Sequence, residues 1–514
     1  MAGPRQRRWL TDSMSYRHHP LYRLLEIFPG ATVWLALILA VVLSFTAPVF
    51  AIVFILLFDL FWFLRVLLFV YYLVIAWCKY RRTAAVDWEA RLQNLPRAGE
   101  LRHVIFLPTY TEELAVIRAT LRSLAAVRYP QNQLIVVLAG EERDGDRFLK
   151  NAELLSREFD GKFGELLVTL HPSGLSGEIP GKGSNLNWAG RLVQEYLDRR
   201  GIAYERVVAS AFDVDTIVHP QYFAYLSWLY LTQPEPLRAS YQPIALYANN
   251  IWDSPAAVRV AAFGTTFWLM AELARRDNIV TFSSHSMPFR ALADVGFWET
   301  DVVSEDSRIF FQCLRHYHGR YRVVPMYLPV SMDTVGVGEH WQSLRQLYKQ
   351  VRRWAWGVEH FPYLAWHFAA DRRSPRALRL RVLWREWEGR FSWATAPIIM
   401  FLLGRLPLYA ASRAQSDLAL VNEAPFALEW LMRLAMIGVL VSALFSFTLL
   451  PPRPERSGRR GFLFMALQWL LLPITFVLFG SIPALDAQTR LMLGKYLGFN
   501  VSVKRRTELA PAVS

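Results

Sequence analysis

Residues 205–216 read ERVVASAFDVDT, an apolar run typical of a buried strand that ends in two carboxylates. Similar strand-like runs occur upstream, with helical patterns between them, at 103–110, 133–140 and 165–172. Strands that alternate with helices predict a parallel α/β sheet with nucleotide-binding potential, and open α/β sheets bind ligands at the carboxyl ends of their strands. We therefore expect the two carboxylates at a ligand-binding edge.

Long apolar segments flank this sheet pattern. Residues 31–77 are almost continuously apolar, enough for two spans of about 20 residues each. Apolar runs return at 393–411, 426–450 and 462–482, whereas 83–392 contains no convincing span. Because basic residues lie at both ends of the first pair of spans, the positive-inside rule predicts a multi-pass protein of the inner or plasma membrane with a cytoplasmic catalytic domain.

The odd number of late apolar runs conflicts with the charge of the tail. Three late spans would place 488–514 outside the cell, yet the tail carries basic residues that favour the cytoplasm: Lys495, Lys504, Arg505 and Arg506. Either 462–487 forms a re-entrant hairpin broken at Pro473 and Pro483, or one of the other late runs does not span. We expect a cytoplasmic C-terminus in both cases.

These patterns divide the chain into five parts, and we expect no cleavable signal peptide. The parts are an amphipathic segment with a transmembrane hairpin (1–82), a cytosolic domain (83–340), interface helices (341–392), a C-terminal transmembrane region (393–487) and a cytosolic tail (488–514).

The composition points to a membrane partner. The hydrophobic fraction is 53% and the net charge is +14. Because Lys and Arg flank the apolar runs, we attribute most of this charge to the lipid bilayer and to orientation, and expect no nucleic-acid partner. Cys78 and Cys313 fit no disulfide or metal pattern, so both are predicted to be reduced. The oligomeric state stays open.

The DVD motif is the first candidate site. Asp213 and Asp215 are spaced i, i+2 directly after the strand pattern. Two carboxylates at a strand end can share Mg²⁺ or Mn²⁺, which prefer oxygen ligands and keep positions for substrate phosphates. An ordinary acidic turn explains this motif about equally well when it is taken alone.

The second candidate is Ser304-Glu305-Asp306, followed by a helical pattern. Ser304 is predicted to cap that helix, which would place Asp306 in its first turn as a general base for an attacking hydroxyl. The alternative is a helix cap followed by acidic first-turn residues with no catalytic role.

Two more stretches contribute polar groups near strand or helix ends. Lys182, between two glycines and before a helix, can approach a phosphate, although a flexible loop is the alternative. Thr109, Tyr110 and Glu112 follow the first strand, at the edge where ligands bind.

The run KQVRRWAWG places Gln350, Arg353 and Trp354 at i, i+3 and i+4, on one face of a helix. Arg353 offers a fork of donors suited to phosphate, and Trp354 offers a flat platform for a sugar. The alternative is an amphipathic helix that lies on the membrane.

The order DVD, SED, QVRRW resembles the processive family 2 glycosyltransferases, the membrane-embedded class of cellulose, hyaluronan, chitin and mannan synthases. The resemblance covers roughly residues 100–360 together with the flanking membrane layout. It implies a Rossmann-like nucleotide-sugar domain of the GT-A type between transmembrane helices, inversion at the anomeric carbon, and Mg²⁺ or Mn²⁺ as cofactor.

The resemblance also implies a role for each motif residue. Asp215 and Asp213 would bind the metal, and Asp306, with Glu305 beside it, would be the catalytic base. The donor would be held by Lys182, Asp213, Gln350 and Arg353, and the acceptor sugar would lie on Trp354. The tail FNVSVK would be a gating loop with Phe499, Ser502 and Lys504.

The chain departs from the family at the position where the nucleobase of the donor is recognised. The second strand usually ends in an Asp pair, and here it ends Gly140-Glu141-Glu142. Glu141 can accept a hydrogen bond from uracil or from guanine, so a UDP-sugar is preferred as donor and GDP-mannose is the rival. Donor contacts are also expected from Thr109, Tyr110 and Glu112.

The expected function is polysaccharide synthesis coupled to export, with a polysaccharide acceptor. The alternative within enzymes is a non-processive transferase that adds a single sugar to a lipid or other membrane acceptor. A transporter is the alternative from a different class, disfavoured because the acidic motifs all lie in the soluble segment.

Overall fold

The computed structural model describes residues 15–275, 279–336, 339–413, 419–452 and 460–498. Its centre is an eight-stranded sheet in the order β3-β2-β1-β4-β7-β6-β8-β5. The strands are β1 (Arg102–Thr109), β2 (Leu134–Glu141), β3 (Glu165–His171), β4 (Val207–Ala211), β5 (Ile217–Val218), β6 (Ala239–Tyr247), β7 (His285–Pro288) and β8 (Arg322–Met332).

The first four strands confirm the predicted parallel unit. β1 pairs in parallel with both β2 and β4, and β2 pairs in parallel with β3. Every residue of β2 and β4 is buried, as expected for parallel strands covered by helices on both faces. β7 runs antiparallel to β4 and β6, so the whole sheet is mixed. The carboxyl ends of β1, β2 and β4 consequently share one edge.

Helices cover the sheet and flank it in sequence. Those described are α1 (Pro20–Thr46), α2 (Pro48–Ala84), α3 (Trp88–Gln93), α4 (Leu114–Ala125), α5 (Gly145–Glu158), α6 (Lys182–Arg199), α7 (Tyr222–Thr232), α8 (Ala256–Ala274), α9 (Phe289–Asp294), α10 (Glu305–His316), α11 (His340–Ala355), α12 (His360–Ala370), α13 (Arg376–Ile398), α14 (Leu406–Arg413), α15 (Ala419–Thr448), α16 (Arg460–Leu467), α17 (Leu472–Phe476) and α18 (Ile482–Met492).

Six described helical segments have the length and composition to cross a membrane, which indicates a multi-pass membrane protein. They are Pro20–Thr46, Pro48–Ala84, Ala256–Ala274, Arg376–Arg413, Ala419–Thr448 and Leu463–Met492. One of the six, α8, lies within 83–392, where no convincing span was expected. It packs against α2 and β6 and is more than half buried there.

The last apolar segment is helical throughout 460–492, which contradicts the re-entrant hairpin, one of the two alternatives for this segment. A 3₁₀ turn (Gln468–Leu471) and a π turn (Val477–Ser481) come just before Pro473 and Pro483. These local changes in winding accommodate the backbone hydrogen bonds that each proline removes. The segment contacts α8 through Gln468, which accepts from Arg259 at 2.6 Å.

Candidate active site

The DVD motif lies at the predicted edge of the sheet, immediately after β4. Asp213 accepts a hydrogen bond from the Ser283 hydroxyl at 2.6 Å, and its other oxygen faces the ammonium of Lys182 at 2.8 Å. Asp215 is fully buried, and one of its oxygens accepts the backbone N–H of Asp333 at 2.7 Å. The two carboxylates thus have different environments, one open to the site and one inside the fold.

Lys182 is the centre of the site. Its ammonium contacts both oxygens of Asp306 at 2.9 Å and Glu305 at 3.5 Å, in addition to Asp213. Burial acts to lower the pKa of Lys182, but the charges of the three acids outweigh burial and raise the pKa well above its ordinary value. Lys182 therefore joins DVD to SED, a contact that its expected position beside phosphates did not include.

Helix α10 presents the SED motif to this ammonium. Glu305 is buried, whereas the Asp306 side chain is 21% exposed and can meet a ligand. Burial raises the pKa of Glu305, Asp306 raises it further, and the charges of Lys182 and Arg353 oppose the rise. The predicted capping by the Ser304 side chain is wrong: Ser304 occupies the N-cap position, but its side chain makes no capping hydrogen bond.

A divalent cation is compatible with the donor set. Among the residues that the structure describes, no group of three or more His, Cys, Asp or Glu side chains is placed to hold a metal ion by itself. Mg²⁺ and Mn²⁺ are, however, commonly bound by one or two carboxylates together with substrate phosphates. Asp213 and Asp215 fit that mode, provided that Lys182 leaves the Asp213 carboxylate when the cation arrives.

A second polar cluster lies at the ends of β2 and β3. Glu141 is buried and accepts from the Arg143 guanidinium at 3.0 Å, and His171 approaches it at 3.6 Å. Burial acts to lower the pKa of His171, but the interactions with the carboxylates of Glu141 and Glu178 outweigh burial and raise it to about 9. The predicted base-reading carboxylate is thus held by a cation on either side.

The end of β1 and the residues after it shape the neighbouring surface. Thr109 is buried and donates to the carbonyl of Leu107 at 3.1 Å, and Glu112 accepts the backbone N–H of Tyr110 at 2.6 Å. The Arg143 guanidinium lies over the Tyr110 ring at 4.6 Å. This stacked pair beside a buried carboxylate is a surface on which a nucleobase can lie.

The QxxRW residues occupy α11, which confirms the predicted helix. Gln350 is buried and lines a small cavity with Thr334 and Trp354, whose ring lies 5.7 Å from that of Tyr247. Arg352 on the same helix pairs with Asp486 of α18 at 2.8 Å. The helix therefore connects the sheet domain with the last apolar segment.

Three residues beside the motifs were missed in the sequence. Ser283 contacts Asp213, Tyr247 contacts Trp354, and Glu359 contacts the backbone before α10. No sequence motif identifies these three residues, because strand pairing or helix packing brings each of them to the site. The predicted gating residues Phe499, Ser502 and Lys504 lie outside the described residues.

Comparison with family models gives one match, to the family described as "Glycosyl transferase family group 2", over residues 211–482. That range contains the DVD, SED and QxxRW motifs and more than half of the chain. A comparison with curated proteins finds no match.

Solved structures provide distant similarities. The mannosyltransferase PcManGT from Pyrobaculum calidifontis, in complex with GDP-Man and Mn²⁺, is 16% identical with a TM-score of 0.41, over 74% of this chain and 99% of that protein. Residues 1–349 of S. aureus TarS, in complex with UDP-GlcNAc, are 13% identical with a TM-score of 0.34, over 69% of this chain and 93% of that one.

Proposed function

The chain belongs to glycosyl transferase family group 2, and from that premise we propose that it is an inverting, metal-dependent polysaccharide synthase. It is a nucleotide-sugar glycosyltransferase whose mixed α/β sheet, of the GT-A type, lies between long apolar helices. We assign to it the transfer of a sugar from a UDP-sugar to the growing end of a polymer, coupled to export through the membrane helices.

The meeting of DVD and SED at one ammonium is the observation that carries this proposal. Lys182 contacts Asp213, Glu305 and Asp306 within 3.5 Å. Glycosyl transfer needs a base for the acceptor hydroxyl and cations for the departing diphosphate, and both must be held in one place. The site supplies these groups together.

The proposed reaction is a single displacement. Asp306 takes the proton of the acceptor hydroxyl, and the hydroxyl oxygen attacks C1 of the donor sugar as the bond from C1 to the diphosphate oxygen breaks on the opposite face. Lys182 and Arg353 stabilise the departing diphosphate. Asp213 and Asp215 would hold Mg²⁺ or Mn²⁺, which supplies charge neutralisation to the phosphates when bound.

We propose a UDP-sugar as donor, with GDP-mannose as the alternative. The support is the placement of Glu141 beside the Tyr110–Arg143 stack, where a carboxylate can accept from an N–H group of either base. The catalytic domain is assigned to the cytoplasm, where nucleotide-sugars are the available donors.

A donor panel tests the proposal. Purified full-length protein is incubated with UDP-glucose, UDP-N-acetylglucosamine or GDP-mannose and with MgCl₂ or MnCl₂, and both the released diphosphate and the product length are measured. We expect UDP release and a ladder of long products. A lipid that carries one added sugar would instead identify the non-processive transferase, and the absence of diphosphate release with every donor would contradict both.

Replacing Trp354 with Ala is expected to impair acceptor use more than donor binding. Trp354 lies on α11 with its ring beside that of Tyr247, and we propose that this ring lies under an acceptor sugar. Loss of one aromatic stacking contact weakens binding by roughly tenfold. The acceptor KM, product length and nucleotide Kd are measured, with Trp384→Ala, an exposed tryptophan of α13, as the matched control. A larger change in nucleotide Kd than in acceptor KM would count against this placement.

A further inference from the structure

We propose that Glu359 is a positioning residue for sugar transfer, because it ties the backbone in front of the Asp306 helix to the turn after the QxxRW helix. The inference rests on the proposed function, in which Asp306 is the base.

Glu359 divides its two carboxylate oxygens between these elements. It ends the 3₁₀ turn Trp356–Glu359, which follows α11. Its Oε1 accepts the backbone N–H groups of Val303 at 3.3 Å and Ser304 at 3.2 Å, and its Oε2 accepts the indole N–H of Trp356 at 3.1 Å. Val303 and Ser304 come directly before α10, whose second residue is Asp306.

This contact supplies one half of a capping box, the half that a side chain inside the helix normally provides. In a capping box, an acidic side chain inside the helix accepts the N–H of the N-cap residue. Here the N-cap is Ser304, and the carboxylate that accepts its N–H comes from Glu359, 55 positions later in the chain. The direction of α10 at its start therefore depends on the turn after QxxRW.

Buried charges hold the same loop from other sides. Arg308 of α10 donates to Glu299 at 3.0 Å, and Arg17 pairs with Asp301 at 3.0 Å. Burial raises the pKa of Glu359, and the charges of Arg308 and Arg17 oppose that rise. Thr281 holds the carbonyl of Asp306 at 2.6 Å, and Glu359 adds contacts to the backbone two and three residues before Asp306, so the loss of Glu359 should shift the start of α10 and with it the base relative to the acceptor. Small displacements of a catalytic group reduce rate without requiring any change in donor binding.

The test is a rescue experiment on full-length protein. In Glu359→Gln one end of the amide is a donor, which either faces the Trp356 indole N–H or the two backbone N–H groups. We expect kcat to fall about tenfold and the nucleotide Kd to stay within error, while Tm falls because buried N–H groups then face each other. Trp356→Phe removes the opposing indole donor, so the double variant should recover to within about threefold of Trp356→Phe alone.

The control is Glu153→Gln, which alters an exposed carboxylate on α5 and should not change kcat. Wild-type kcat in Glu359→Gln would overturn the inference, as would a folded double variant that shows no recovery. If Glu359→Gln alone does not fold, the double variant carries the test: recovery supports the inference and a folded but inactive protein contradicts it. Transfer is counted whatever the product length, so a failure of the polymerase proposal would appear separately, in the wild type.

Discussion

Asp306→Asn is expected to abolish sugar transfer while leaving donor binding intact. Asn keeps the size of the side chain but cannot take a proton from the acceptor, and general-base catalysis contributes about a hundredfold to ten-thousandfold. Asp306 is the partly exposed carboxylate of SED and reaches the ammonium of Lys182. The measurements are diphosphate release and nucleotide Kd on the same preparation. Turnover like that of the wild type would refute Asp306 as the base.

Glu305→Gln provides the comparison for this variant. Glu305 is adjacent in sequence and also approaches Lys182, but its side chain is only 4% exposed. Because an acceptor cannot reach a buried carboxyl group, the loss of kcat in Glu305→Gln should be smaller than in Asp306→Asn. The reverse order would transfer the role of base to Glu305, whereas equal losses would indicate that both variants act through the shared lysine.

The strands that could be predicted are those with uninterrupted apolar runs. β1 to β4 read as such runs, and their parallel pairing follows from the helices between them. The other four strands give weaker patterns, since β5 has two residues, β7 has four, Pro243 interrupts the pairing of β6, and β8 contains Pro325 and Pro329. β7 pairs with β4, β6 with β7, β8 with β6 and β5 with β8, and pairing between such distant segments is a tertiary effect that periodicity does not carry.

The site could be predicted as separate motifs but not as a connected arrangement. Lys182 and Asp306 are 124 positions apart, and nothing in either motif shows that they meet. Ser304 illustrates the opposite case: its residue type predicts a side-chain cap, yet its side chain makes none, and its own backbone N–H is bound by a carboxylate from another segment. The local sequence therefore predicted which side chains carry the chemistry, whereas tertiary packing determines which residues those side chains contact.

Lys182→Met is expected to reduce transfer strongly and to make the protein more dependent on divalent cations. The Lys182 ammonium neutralises three carboxylates: Asp213, Glu305 and Asp306. Removing one partner of a buried ion pair costs about 3–5 kcal/mol, because it leaves uncompensated charge. We therefore expect Tm to fall by several degrees and diphosphate release to fall by about a hundredfold to a thousandfold, since a cation beside the leaving group is also lost.

The cation dependence separates this explanation from a general loss of packing. Mn²⁺ added without donor should raise the Tm of Lys182→Met by more than it raises that of the wild type, because the variant leaves the Asp213 carboxylate without its ammonium. Lys150→Met, at an exposed lysine of α5, is the matched control and should respond to Mn²⁺ as the wild type does. Equal Mn²⁺ responses in all three proteins, together with unreduced transfer in Lys182→Met, would show that the ammonium contributes neither to the balance of charge nor to the reaction. A larger response in Lys182→Met would instead indicate that the lysine and a divalent cation compete for the Asp213 carboxylate.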